Sequence, residues 1–149
     1  MATWVALLRG INVGGKNTLP MAEFRLRLAS LNFRNVKTYI QTGNVVFQSK
    51  VKSAASLAEK IGSCVHKSYG FRPGVMVLAS EDLGAAFERN PFPEALEDPK
   101  SLHVFFLSES PLEPDLEKIS QLKSSTERYR LCDRVFYLYA PEGIGRSKL

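Results

Sequence analysis

Cysteine, histidine and tryptophan are scarce in this chain: two, two and one among 149 residues. Two cysteines, Cys64 and Cys132, cannot build a disulfide framework, and neither belongs to a CxxC pair or a Cys/His cluster with zinc-ligand spacing. A stapled secreted miniprotein and a zinc site are therefore excluded, no metal is expected, and a reducing, cytoplasmic home is the default. Long apolar runs are missing as well. The longest early one, Trp4 to Leu8, stops at Arg9 and lacks the basic, apolar and small-residue regions of a signal peptide. Nothing approaches the roughly 20 apolar residues of a membrane span, so no membrane partner is expected.

Catalytic patterns are equally thin. His66 lies two residues from Cys64 on a predicted helix, where side chains at that spacing diverge, so the two do not form a nucleophile pair. His103 sits on an apolar strand and reads as a packed or hydrogen-bonded histidine. No G-x-S-x-G elbow, H-E-x-x-H or EF-hand loop occurs. The residues specify neither an enzyme class nor a cofactor.

Carboxylates are rare in one half only. Residues 1–79 carry 11 basic and 2 acidic side chains, a balance of +9, whereas residues 80–149 carry 9 basic and 13 acidic, a balance of −4. Such asymmetry points to an anionic partner for the first half, or to charge matching within the molecule.

What is present is a regular alternation of elements. Thr3–Leu8 reads as a buried strand, and Thr18 with Pro20 opens a helix whose Met21, Phe24, Leu28 and Leu31 share one face. Val36–Gln41 and Asn44–Gln48 form a hairpin through Thr42-Gly43, with Val36, Thr38 and Ile40 on one face and Lys37, Tyr39 and Gln41 on the other. A second helix starts at the cap Ser53, repeats Leu57, Ile61 and Val65, and stops at Gly70; the strand Gly74–Leu78 follows. The resulting β-α-β-β-α-β order is that of the ferredoxin-like split βαβ unit.

Residues 80–149 predict a helix over 81–89 capped by Ser80, a break over 90–100 and a strand over 102–107. A helix over 114–123 and a hairpin about Asp133-Arg134 follow. The fold expected is α+β: two ferredoxin-like halves, 1–79 and 80–149, packed together, the second incomplete because no closing helix follows Gly145. Its uncovered apolar surface would favour self-association.

The segment richest in chemistry is Arg9-Gly10-Ile11-Asn12-Val13-Gly14-Gly15-Lys16-Asn17. Gly10, Gly15 and Lys16 fit G-x-x-x-x-G-K, but Asn17 stands where a phosphate-binding loop needs a Ser or Thr for magnesium, and the helix begins too late. What survives is an anion nest: Gly10, Gly14, Gly15 and Lys16 turn backbone N–H groups to one point, with Arg9 and Asn17 as side-chain donors and Asn12 a further residue of the site. A phosphate-bearing small molecule or nucleotide is the ligand that fits; the alternative is a structural turn that needs glycine only for its backbone angles.

A second site is expected at the hairpin turn, where Gln41 and Asn44 flank Gly43. In this reading the turn and the loop lie at opposite ends of adjacent strands. A nucleic-acid surface is the alternative use of the basic half, with Lys37 and Tyr39 beside Trp4 or Val5 on the sheet, and with phosphate contacts from Arg25, Arg27, Arg34, Lys37, Lys50 and Lys52. A structural or protein-interaction domain would use neither.

The segments Leu7–Asn17, Thr38–Phe47, Asn90-Pro91-Phe92 and Gly143–Leu149 resemble the bacterial domain-of-unknown-function family sixteen-ninety-seven over almost the whole chain. The resemblance implies two ferredoxin-like subdomains and supplies no activity, cofactor or catalytic residue. Its members usually continue past Gly-Ile-Gly-Arg-Ser-Lys-Leu into a helix and basic tail, so the terminal Ser147-Lys148-Leu149 reads as part of a family motif and not as a peroxisomal address.

Overall fold

A computed structural model describes residues 1–149. It is α+β, with two antiparallel sheets and four α-helices, and divides into two compact units, Met1–Ala85 and Ala86–Leu149.

In the first unit β1 (Ala2–Arg9), α1 (Met21–Ser30), β2 (Arg34–Tyr39), β3 (Asn44–Ser49), α2 (Ala54–Tyr69) and β4 (Gly74–Ala79) follow in order. The four strands pair antiparallel as β2-β3-β1-β4. Both helices form where the apolar period predicts. Ser53 Oγ accepts the Ser56 N–H at 3.2 Å, and Gly70 closes α2 in the left-handed region at φ 77°. Trp4, Ala6 and Leu8 of β1, Val45 and Phe47 of β3 and Val77 of β4 meet Phe24 and Leu28 of α1 and Leu57, Ile61 and Val65 of α2 in one buried cluster. Each large side chain so buried contributes about 1.5–3 kcal/mol.

Trp4 therefore belongs to the helix-covered face and not to an open sheet surface, because alternation along β1 places it with Ala6 and Leu8. Its Nε1–H is buried without a partner. Ile40 also departs from expectation. The strand ends at Tyr39 and Ile40 adopts φ 47°, so it leaves the face of Val36 and Thr38 and is 60% exposed. Such an angle is rare for a β-branched residue.

Helix α3 (Ser80–Glu88) runs on directly from β4 across the division between the units. Ser80 is its first residue, with Oγ bound to Glu81 at 3.2 Å, so it does not cap from outside as expected. In the second unit the break over 90–100 contains two short 3₁₀ turns, Pro93–Leu96 and Pro99–Ser101. There β5 (Leu102–Phe106), α4 (Leu116–Leu122), β6 (Arg128–Cys132) and β7 (Val135–Tyr139) give a sheet of order β5-β7-β6. Asp133, at φ 50°, makes the two-residue turn that the sequence predicts. Apolar side chains stay exposed in this unit, among them Phe87 at 70% and Phe105 at 42%.

Candidate functional site

The 10–17 loop leaves the end of β1 and folds back on itself. Lys16 N–H donates to the Val13 carbonyl at 3.1 Å, and Asn12 N–H donates to the Asn17 carbonyl at 3.1 Å. Gly14 and Gly15, between them, have φ of 58° and 70°. Two consecutive positive φ values are what a type I′ turn requires, so this is a small hairpin and not a phosphate-binding loop wrapped on a helix. Helix α1 begins only at Met21, behind Pro20.

A Cβ at Gly10, Gly14 or Gly15 would meet nothing within 4 Å. The demand for glycine there comes from the left-handed backbone, not from crowding. The N–H groups of Gly14 and Gly15 make no hydrogen bond within the chain. They stand at the turn's exposed tip with the exposed Lys16.

Asn12 holds the loop in place. Its Oδ1 accepts Leu19 N–H at 2.7 Å, while Nδ2 donates to the Leu19 carbonyl at 3.1 Å and to the Gln41 carbonyl at 3.0 Å. Both amide hydrogens are thus spent on the frame. Asn17 Nδ2 donates to the Gly10 carbonyl at 2.8 Å, which leaves it one hydrogen. Arg9 lies over β4, with Nε 3.6 Å from where a Cβ of Gly74 would stand.

The bond from Asn12 to Gln41 overturns the expectation that loop and hairpin turn lie at opposite ends. Strand β1 runs antiparallel to β3 with Leu7 opposite Asn44, so the end of β1 adjoins the start of β3. Leu8 N–H donates to the Gly43 carbonyl at 3.2 Å. Gly43, at φ 77°, sits so close that a Cβ would fall 2.5 Å from Ile11 Cδ1 and 2.9 Å from Leu8 Cβ. The Gln41 side chain is exposed and makes no hydrogen bond, whereas Asn44 Nδ2 donates to Thr42 Oγ1 at 2.9 Å. One end of the sheet therefore carries both the 10–17 loop and the 40–43 turn, with Val13 and Ile40 exposed. The sequence pointed to neither Ile11 nor Ile40 as a residue of this sheet end; the pairing of β1 with β3 locates both.

The face of the sheet away from α1 and α2 carries Lys37 and Tyr39 on β2, with Val46 opposite Lys37 on β3. Tyr39 is 70% and Val46 41% exposed, whereas Val5, next in that row on β1, is buried. The basic and aromatic surface is thus confined to the β2–β3 side. Arg25 reaches Thr38 Oγ1 at 2.8 Å, and Arg27 is held by Glu23 at 2.5 Å and by Tyr69.

No group of three or more His, Cys, Asp or Glu side chains is placed to hold a metal. Cys64 is half-buried, and burial pushes its thiol pKa up against the pull of Arg27 and Lys67. That favours the protonated form and disfavours a nucleophile. His66 is exposed, and His103 buries Nε2 without a partner.

Two antiparallel sheets in an α+β chain, with a latched glycine turn at one sheet end, define a class of architecture and not a reaction. The chain belongs to a protein family of unknown function, DUF1697, whose model matches residues 1–137. It is similar to a solved structure, the conserved bacterial protein SP0830 from Streptococcus pneumoniae. The two share 29% identity with a TM-score of 0.70 over 95% of this chain and 78% of that one. None of the curated proteins compared matches. No helix is long and apolar enough to cross a membrane.

Proposed function

We propose that the first unit is a binding module for a phosphate-bearing small molecule or nucleotide, taken at the tip of the 10–17 loop. The observation that carries this reading is the pair of unbonded N–H groups at Gly14 and Gly15 beside Lys16, on a turn locked by Asn12. Fixed donors next to a cation lose little freedom on binding an anion. In the same reading the β-α-β-β-α-β unit is ferredoxin-like, the second unit is a related half, and the protein is cytoplasmic. The strand order β2-β3-β1-β4 supports the first of these assignments. Lys16→Ala and Arg9→Ala separate the ligand site from a structural turn. A ligand site loses phosphate or nucleotide affinity on Lys16→Ala with an unchanged melting temperature, and Arg9, lying over Gly74, contributes less. Equal affinity in wild type and Lys16→Ala contradicts the reading.

The alternative, nucleic-acid binding on the sheet, is favoured by one observation: Lys37 and Tyr39 both face outward on edge strand β2. It predicts retardation of single-stranded RNA that weakens with salt and loses about one unit of salt slope in Lys37→Ala.

A further inference from the structure

The two carboxylates among residues 1–79 are both occupied: Glu23 by Arg27 and Glu59 by Arg72, each at 2.5 Å. Arg34, Lys50, Lys60 and Lys67 make no ion pair. Three of these four cations meet around one cavity of about 480 Å³, where α1 ends, β2 starts and β3 ends; Asn32 and Ser49 also line it. Leu31 and Lys60 are shared with a second cavity of about 340 Å³ between α1 and α2, bordered by Ser63, Cys64 and Lys67. Lys60, Ser63, Cys64 and Lys67 follow the i, i+3, i+4, i+7 spacing that puts them on one face of α2. No carboxylate lines either cavity.

Ser49 adds a second, independent observation. It is 3% exposed, and its Oγ accepts Val51 N–H at 3.1 Å, yet the hydroxyl donates to nothing in the chain. A buried hydroxyl proton without an acceptor is costly, and this one borders the first cavity.

We propose that the two cavities form one binding site for a phosphomonoester. The phosphate is held by Arg34, Lys50, Lys60 and the Ser49 hydroxyl, and the uncharged remainder lies over Leu31 and Cys64 toward Lys67. A phosphate offers acceptors both to the hydroxyl and to the cations that line the first cavity, and charge-assisted bonds of this kind are the strong ones. Volumes of this size suit a small ligand. The carbonyl end of α1 opposes an anion, but Leu31 and Asn32 N–H already engage the Leu28 and Ala29 carbonyls. Phe33, the aromatic residue of the first cavity, is buried and stacked on Phe47 at 4.4 Å. No ring is free to stack a base, which favours a small phosphomonoester over single-stranded nucleic acid.

Strand β1 separates this site from the 10–17 loop by about 25 Å at the usual rise per residue, so the two report separately. The test is an amide-shift titration of the full chain with inorganic phosphate, phenyl phosphate and a single-stranded oligonucleotide. Both phosphates are expected to give saturable movement at Arg34, Ser49 and Lys50. Phenyl phosphate alone should also move Ser63 and Cys64, and should bind at least about threefold tighter through the added apolar contact. Lys60→Ala should weaken either phosphate about tenfold, and Ser49→Ala severalfold. Because Ser49 is buried, the exposed Lys50→Ala provides a variant whose unfolding midpoint should not change. No saturable movement at these residues up to about 50 mM phosphate, a limit that corresponds to negligible affinity, overturns the proposal. An oligonucleotide that displaces both phosphates with a steep salt dependence also overturns it, and equal affinity for the two phosphates overturns the role of the second cavity.

Discussion

The two units solve the same problem, covering a small antiparallel sheet, by different means. In the first, two helices close one face and fully bury Phe24, Phe47, Leu57 and Ile61. In the second, Phe92, Ala95 and Tyr137 form a smaller buried cluster, Leu138 and Ala140 are buried besides, and α4 buries none of its residues. Stacked and charged contacts take over there. Arg128 lies 5.1 Å from the Phe92 ring and 4.9 Å from the Tyr139 ring while pairing with Glu94, and Tyr137 donates its hydroxyl to the Ala86 carbonyl at 2.7 Å. Burial scales with area and tolerates few substitutions, whereas exposed charge and stacking contacts are each worth little. The first unit therefore holds the larger buried core, and the 10–17 and 40–43 segments stand at the end of the sheet that this core supports.

Among single substitutions, Phe24→Ala should cost the first unit most. Its side chain is fully buried, and the change should cost about 3–5 kcal/mol in urea unfolding followed by the fluorescence of Trp4, which lies in the same core. A loss under about 1 kcal/mol would place the first unit's stability elsewhere. Gly43→Ala comes next. The Cβ would clash with Ile11 and Leu8 at a φ of 77°, so about 1–3 kcal/mol should be lost, with amide shifts spreading through both the 40–43 turn and the 10–17 loop. Changes confined to the turn would argue against one joined site.

In the second unit Arg128→Ala should cost only about 0.5–1 kcal/mol, since its side chain is half exposed and its ion pair is screened. A cost matching that of Phe24→Ala would erase the distinction between the units. The smallest effect concerns pH. Hydrogen bonds from Arg72 and then Ser63 hold the exposed Glu59 carboxyl below its ordinary 4.5. A lowered folded-state pKa stabilises above the unfolded value and is lost as pH falls through the folded one. Glu59→Gln should therefore slightly flatten the acid limb of the stability curve below about pH 4.5, and the difference should vanish in high salt.

Much of this arrangement was legible in the sequence. Ser53, Gly70 and the spacing of Leu57, Ile61 and Val65 specify α2 because capping and periodicity are local properties. The Asn12–Gln41 contact was not legible, because it depends on which strand pairs with β1, a choice made by tertiary packing and not by the loop. For the same reason the glycines announced a turn but hid its partner, and Trp4 looked as ready for a surface as for the core. The 1–79 charge excess was plain in the sequence. That Glu23 and Glu59 would be taken up by Arg27 and Arg72, leaving Arg34, Lys50 and Lys60 around one cavity, required the packed helices.

Asn12 pre-organises the glycine turn that we propose as the anion-binding tip of the first unit. Phosphate titrations of wild type and Asn12→Ala, read at the amides of Gly14, Gly15 and Lys16, test it most directly. Saturable movement is expected in the wild type and is lost in the variant, with the amides of β1 and β3 still in their native positions. No saturable movement in the wild type, or the same curve in both proteins, would contradict it.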